Sequence, residues 1–368
     1  SNTCTITLPA SASAGDEIIF KDYARNWATN KIIIDSNGLK YQGDDDTFTV
    51  EYTTDGQSVH IVYADATKGW IPISDDDVTD VPVKRNDNGI FAYGYDTANV
   101  SISNLVSNTG VVATDVDGVG TARRALAACE FGGDKGIFGY GYGASSAVSM
   151  TNLVSNTGVV ATDTSGVGTA SEDLAACSYG YDKGIFGYGD AGGRTAKTNL
   201  VSNTGVVGTD VSGVGSARNS LMATEYGGDK GIFGFGNTGS LTAITNLVSN
   251  TGVVATDTSG VGTAKRHGDA CSYGTDKGIF GFGYTSSRTA TTNLVSNTGV
   301  VATDTAGVGT ARHHIASTQY GKDKAIFGFG DHASYTGVSN LVSNTGVVAT
   351  DTSAVGSARQ QLSACSYN

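Results

Sequence analysis

Three observations predict an all-β fold in two parts. The first part is a small N-terminal β-domain over residues 1–84. The second, over residues 85–368, is a six-bladed β-propeller of four-stranded blades, closed by the C-terminal strand. Glycine is abundant (52 of 368 residues) and proline scarce (3), which suits many short strands joined by tight turns. The phrase NLVSNTGVV recurs six times, its Asn falling at 104, 152, 199, 246, 293 and 340, with spacings of 48, 47, 47, 47 and 47 residues. Repeats of about that length, each offering four strands, are the size of a propeller blade. The third observation is phase. The array opens part-way through a unit, at NGIFAYG (Asn88–Gly94), and closes with the missing piece, ARQQLSACSYN (Ala358–Asn368). An open solenoid would call for polar caps at its ends. A split unit suits a ring.

From the N-terminus, strands are expected at Thr5–Leu8, Glu17–Phe20, Lys31–Ile34, Thr47–Tyr52 and Ser58–Tyr63. Asn37-Gly38 and Asp55-Gly56 are turn dipeptides of the hairpin type. The order TITLPASASAGDEIIFKD, NKIIIDSNGLKYQG and TFTVEYTTDGQSVHIVYADATKGWI, over residues 4–72, resembles small β-modules of bacteriophage tail fibres and related virion appendages. That resemblance implies a homotrimer built through residues 1–84, other virion proteins as partners, and a location at the virion surface, outside the cell. Ile73–Lys84 reads as a linker. Its acidic residues, Asp75–Asp77 and Asp80, and those at Asp44–Asp46 read as solvated loops rather than calcium sites, because calcium needs six or more converging oxygens. No cofactor is expected.

Within each repeat, the second copy gives strands at Leu174–Tyr179, Gly184–Gly189, Asn199–Ser202 and Gly205–Thr209. Arg123, Arg218, Arg312 and Arg359 each precede a small-residue strand, which is followed by a GIFGYG-type strand. In this the repeats resemble kelch-type repeats, although one GYG or GFG replaces the usual glycine pair and no Trp closes the unit. The resemblance implies blade geometry and says little about a ligand. Cys129, Cys177, Cys271 and Cys365 share one repeat position with Thr224 and Thr318; they are expected to be small buried residues, not disulfides. The repeated Asp (Asp115, Asp163, Asp210, Asp257, Asp304, Asp351) is expected to accept backbone hydrogen bonds locally. The Asp-Lys pairs, such as Asp134-Lys135, are expected to form structural ion pairs.

The formal charge of −12 argues against nucleic acid or an anionic membrane as the main partner, and no apolar run is long enough for membrane insertion. No GxSxG, HExxH or P-loop occurs, and near-identical carboxylates in every copy do not suit an active site, so an enzyme is not expected. Two zones vary between copies: the stretch after GYG or GFG, and the residues leading into the first strand. Both fall on one rim of an antiparallel blade, and loops on a rigid scaffold commonly carry binding. The candidate contacts are Tyr142, Arg194, His267, Tyr284, Arg288, His313, His314, His332 and Tyr335. The expected function is adhesion to a host-surface glycan or another envelope component. The alternative is a spacer, decoration or filament subunit that binds only its own kind.

Overall fold

A computed structural model describes residues 3–44, 49–74 and 85–368. The chain divides into two compact units, Ser1–Lys84 and Arg85–Asn368. The acidic residues Asp45, Asp46, Asp75–Asp77 and Asp80, and most of the expected linker, lie outside the described residues.

The first unit contains β1 (Cys4–Thr7), β2 (Glu17–Lys21), β3 (Ile32–Asp35), β4 (Val50–Tyr52), β5 (Ser58–Asp65) and β6 (Gly69–Ser74). They form two three-stranded sheets, ordered β1-β3-β4 and β2-β5-β6. Period-two alternation on β3 and β5 sends Ile32, Ile34, Val59, Ile61 and Tyr63 into one core with Trp27 and Trp70. Gly69 (φ +68°) is required where it stands: a Cβ there would meet the Lys40 carbonyl oxygen at 1.8 Å. That close approach lets the Trp70 amide donate to the same oxygen at 2.9 Å.

The second unit begins with β7 (Asn88–Tyr95) and β8 (Asn99–Val106). Five triplets follow: β9 (Ala127–Phe131), β10 (Lys135–Gly139) and β11 (Thr151–Val154); β12 (Ala175–Tyr179), β13 (Lys183–Gly187) and β14 (Thr198–Val201); β15 (Met222–Tyr226), β16 (Lys230–Gly234) and β17 (Thr245–Val248); β18 (Asp269–Tyr273), β19 (Lys277–Tyr284) and β20 (Arg288–Val295); β21 (Ala316–Tyr320), β22 (Lys324–Gly328) and β23 (Ser339–Val342). The last strand, β24 (Ser363–Tyr367), pairs antiparallel with β7, Ala364 opposite Phe91 and Tyr367 opposite Asn88. The first strand of each sheet lies beside the first strand of the next, and β24 lies beside both β21 and β9.

Each sheet has three regular strands, not the expected four. The segment after the SNTG turn forms no regular strand and meets the third strand through isolated bridges, such as Val106↔Val112 and Ser103↔Val116. The Asn of the repeated phrase bonds to the same segment. Asn104 Nδ2 donates to the Ala113 carbonyl and to Asp115 Oδ1, each at 2.9 Å.

Neighbouring sheets interlock through small residues. A Cβ on Gly136, Gly184 or Gly231 would meet the Sγ of Cys365, Cys129 or Cys177 at 2.3, 2.4 or 2.5 Å. Only a small side chain fits opposite, which explains why Cys alternates with Thr. All five cysteines are free, and the four in the repeats are buried. Phe138, Phe186, Phe233, Phe280 and Phe327 each form a close tilted or edge-to-face pair with the preceding sheet's aromatic, and Phe91 closes the series with Phe329 at 5.2 Å.

The repeated Asp accepts backbone hydrogen bonds, but from the adjoining repeat rather than locally. Asp163 takes the Thr121 amide (3.0 Å) and hydroxyl (2.6 Å), and Asp115 takes the amide (2.9 Å) and hydroxyl (2.6 Å) of Ser357. Burial alone would raise these carboxyls; donation from Thr121 and Asn152 outweighs it and holds Asp163 below the usual range. Fully buried Arg312 donates to the Phe329 and Thr310 carbonyls and to Asn340. The Asp-Lys pairs sit within their own turns; exposed lysines of this kind contribute little stability.

Candidate functional site

Six residues leading into the inner strands share a left-handed backbone: Ala125, Asp173, Ser220, His267, His314 and Gln361, with φ between 51° and 55°. Their amides and carbonyls bond in a closed circuit. The Asp173 amide donates to Ala125, Ser220 to Asp173, His267 to Ser220, His314 to His267, Gln361 to His314, and Ala125 back to Gln361, at 2.7–3.0 Å. Each left-handed residue carries a cost of about 1 kcal/mol, which the bonded ring offsets. The ring surrounds one mouth of an axial cavity, lined further in by small residues such as Ala128, Ala176, Ala223 and Ala270.

The preceding residues pair with the ends of the second strands or with the loops just after them: Arg124↔Tyr142, Glu172↔Asp190, Asn219↔Asn237, Arg266↔Tyr284, His313↔Asp331 and Tyr95↔Gln360. Gly141 (φ +100°) permits the turn, since a Cβ there would meet the Arg124 carbonyl oxygen at 2.7 Å. Both variable zones therefore lie on one rim.

Most of the candidate residues gather into two groups. In one, His313 lies 4.4 Å from His314 and 5.6 Å from Tyr284, and His267 lies 4.0 Å from His314, measured between ring centroids. Arg288 pairs with Asp331 at 3.0 Å, and the Arg266 guanidinium lies 5.8 Å from the Tyr284 ring centre. In the other, Tyr335 meets Tyr95 edge-on at 6.2 Å, and Arg124 lies 4.9 Å from both the Tyr95 and Tyr142 rings. Asn99 accepts from Arg124 and donates to the Tyr142 and Gly143 carbonyls. Arg194 is exposed and bridges to Asp190, and His332 is half-buried next to Asp331. The remaining stretch of rim carries Glu172, Asp173 and Asp190, where burial raises the first two carboxyls.

The imidazoles are held neutral. Burial, then the neighbouring His314 and the Arg266 guanidinium, push His267 well below its ordinary value. Burial and His313 lower His314 to about 3, and burial also lowers His313. His314 Nδ1 lies 3.1 Å from Gln360 Oε1, and His313 Nδ1 lies 3.2 Å from the Asp331 carbonyl. Among the described residues no group of three or more His, Cys, Asp or Glu side chains is arranged to hold a metal ion.

At the other end of the cavity the chain enters the unit. Asn86 donates to Ser366 at 2.9 Å, and Arg85 pairs with Glu225 on β15, at 3.0 Å. Burial raises Glu225 to about 8 against the opposing pull of Arg85.

Sequence reasoning missed Arg266, Arg124, Tyr95 and Arg85. Arg266 and Arg124 lie within the variable KRHG and RRAL stretches and could have been singled out there. Tyr95 belongs to the sheet split between the two ends of the array, so its loop escapes comparison with the other five. Nothing in the sequence pairs Arg85 with a residue 140 positions away.

No protein-family model matches the chain, and no curated protein aligns with it significantly. Among the described residues no helix is long and apolar enough to cross a membrane.

Proposed function

We propose that residues 85–368 form a six-bladed, kelch-like β-propeller, and that the protein is a non-enzymatic adhesin of a virion appendage. It binds a host-surface ligand, a glycan, through the variable rim. The N-terminal module joins three chains and attaches to other virion proteins. The observation that carries this reading is the contrast between rim and scaffold. Six nearly identical repeats support one rim where sequence varies and where Tyr, His and Arg cluster, residue types suited to recognition. Within the second unit, that rim lies at the opposite end of the axial cavity from Arg85. Exposed apolar side chains on the first unit, Ile19 at 64% and Tyr23 at 97%, suit self-association there. Trimeric display would add avidity to weak single sites.

The intact chain should be retained on host envelopes, and the double variant Tyr142→Ala, Tyr335→Ala should lose at least about tenfold in apparent affinity while melting as the parent does. Retention unchanged by the substitutions, or none on any host envelope, would overturn the adhesion reading.

One observation favours the spacer or filament alternative. Val111, Val159, Val206, Val253, Val300 and Val347, one per repeat, are 63–66% exposed. Solution mass separates the two: discrete trimers fit adhesion, open-ended polymers fit the filament.

A further inference from the structure

We infer that the rim between the fourth and fifth repeats, centred on Arg266, is a binding site for an anionic saccharide. The inference rests on the adhesion reading and names the ligand class for part of the same rim.

The reason begins with charge. Of the two guanidiniums beside Tyr284, Arg288 is neutralised by Asp331 at 3.0 Å. Arg266 makes no ion pair among the described residues; its Nε is buried and lacks a hydrogen-bond partner. A cation left unpaired beside a buried donor is an unfilled demand for an anion, and a guanidinium fork matches a carboxylate or phosphate in two contacts. Around it stand flat faces: Tyr284, with the His313 ring inclined at 37° to it, then His314 and His267. Such faces suit the C–H side of a pyranose ring. Tyr284 and Arg266 are held by their mutual backbone bridge, so the site is preformed. The carboxyls Glu172, Asp173 and Asp190 lie in other repeats of the rim; Asp173 feels the Arg266 charge across the ring without forming an ion pair with it, so the guanidinium stays open to an anion on its own sector. In a chain of net charge −12, such a local site is where an acidic sugar can dock.

The imidazoles add a pH dependence. The groups facing them are Arg266 and Arg288, which oppose protonation, and Asp331 and Gln360, which favour it. A bound anion adds negative charge beside them, so binding takes up protons and strengthens as pH falls below the ordinary imidazole value of about 6.5.

The test uses the intact chain and calorimetric titration with three probes: an oligogalacturonate for carboxylate, a phosphorylated maltooligosaccharide for phosphate, and a neutral maltooligosaccharide. A fourth probe, an oligoglutamate peptide, checks for acidic peptide binding. The expected result is binding of one anionic saccharide over the neutral one, an affinity gain of at least about threefold from pH 7 to pH 5, and a loss of at least about tenfold in Arg266→Gln. Arg288→Gln, which leaves Asp331 unpaired, serves as a second variant with a partial loss. Wild-type melting in Arg266→Gln confirms that the fold is intact. Preference for the neutral sugar or for the peptide, no binding of any probe, or anionic binding indifferent to Arg266→Gln, overturns the inference. Envelope retention of the same preparations then decides separately whether adhesion stands.

Discussion

Arg359 illustrates how one side chain joins three parts of the chain. It is fully buried, donates Nε to the Tyr93 carbonyl at 2.8 Å and Nη2 to Asn104 at 2.8 Å, and lies 4.3 Å from the Phe329 ring centre. Truncation would leave the Asn104 carbonyl and the Asp115 carboxylate without their cation. Arg359→Ala is expected to cost about 3 kcal/mol of stability by urea unfolding. Arg359→Lys should cost about 1 kcal/mol, because Lys265 fills the same place in its own repeat, donating to Thr291 and Asn293. Equal costs for the two variants would contradict this role. At this scale the sequence told which positions were special but not what they touch. The Cys position was legible as small and buried because Thr replaces it twice. Its opposing Gly lies on a neighbouring sheet, a contact that no local spacing reveals. The repeated Asp was read as a local acceptor for the same reason.

Among the elements, the inner strands set the response to pH. Burial raises Glu225 on β15 to about 8 and Asp269 on β18 to about 7. A carboxyl raised on folding contributes its full stability below its unfolded value and loses it as pH rises through the folded value. Stability on this account falls between about pH 5 and pH 8. His267, His313 and His314 act oppositely. Lowered on folding, they contribute above about pH 6.5 and lose that contribution as pH falls. Glu225→Gln with Asp269→Asn should therefore flatten the decline in urea midpoint toward alkaline pH. An unchanged slope would show that these strands do not set it. Strand positions were legible from the repeat, since the SNTG turn and the GIFG run are strong local signals. The incomplete fourth strand was not, because the bonds from the Asn side chain to that segment form only once the segment has arrived.

At the largest scale, the second unit depends on the union of its two ends, β7 and β24. The array's split phase was legible in the sequence, and β24 does pair with β7; the rim residues, by contrast, were legible only as a zone of variation, and the grouping of Arg266 with Tyr284 and the histidines needed the fold. Closure also accounts for bonds that no linear stack would make: Ser357 to Asp115, Phe329 to Phe91, and the Asn368 amide to the Asp134 carbonyl at 2.8 Å. Thermal melting of the protein truncated after Ser357 tests this most directly. Losing β24 and Arg359 should lower the melting temperature of the second unit by about 20 °C or abolish its cooperative transition. A truncated protein that melts with the intact chain's temperature and cooperativity would contradict the closed ring.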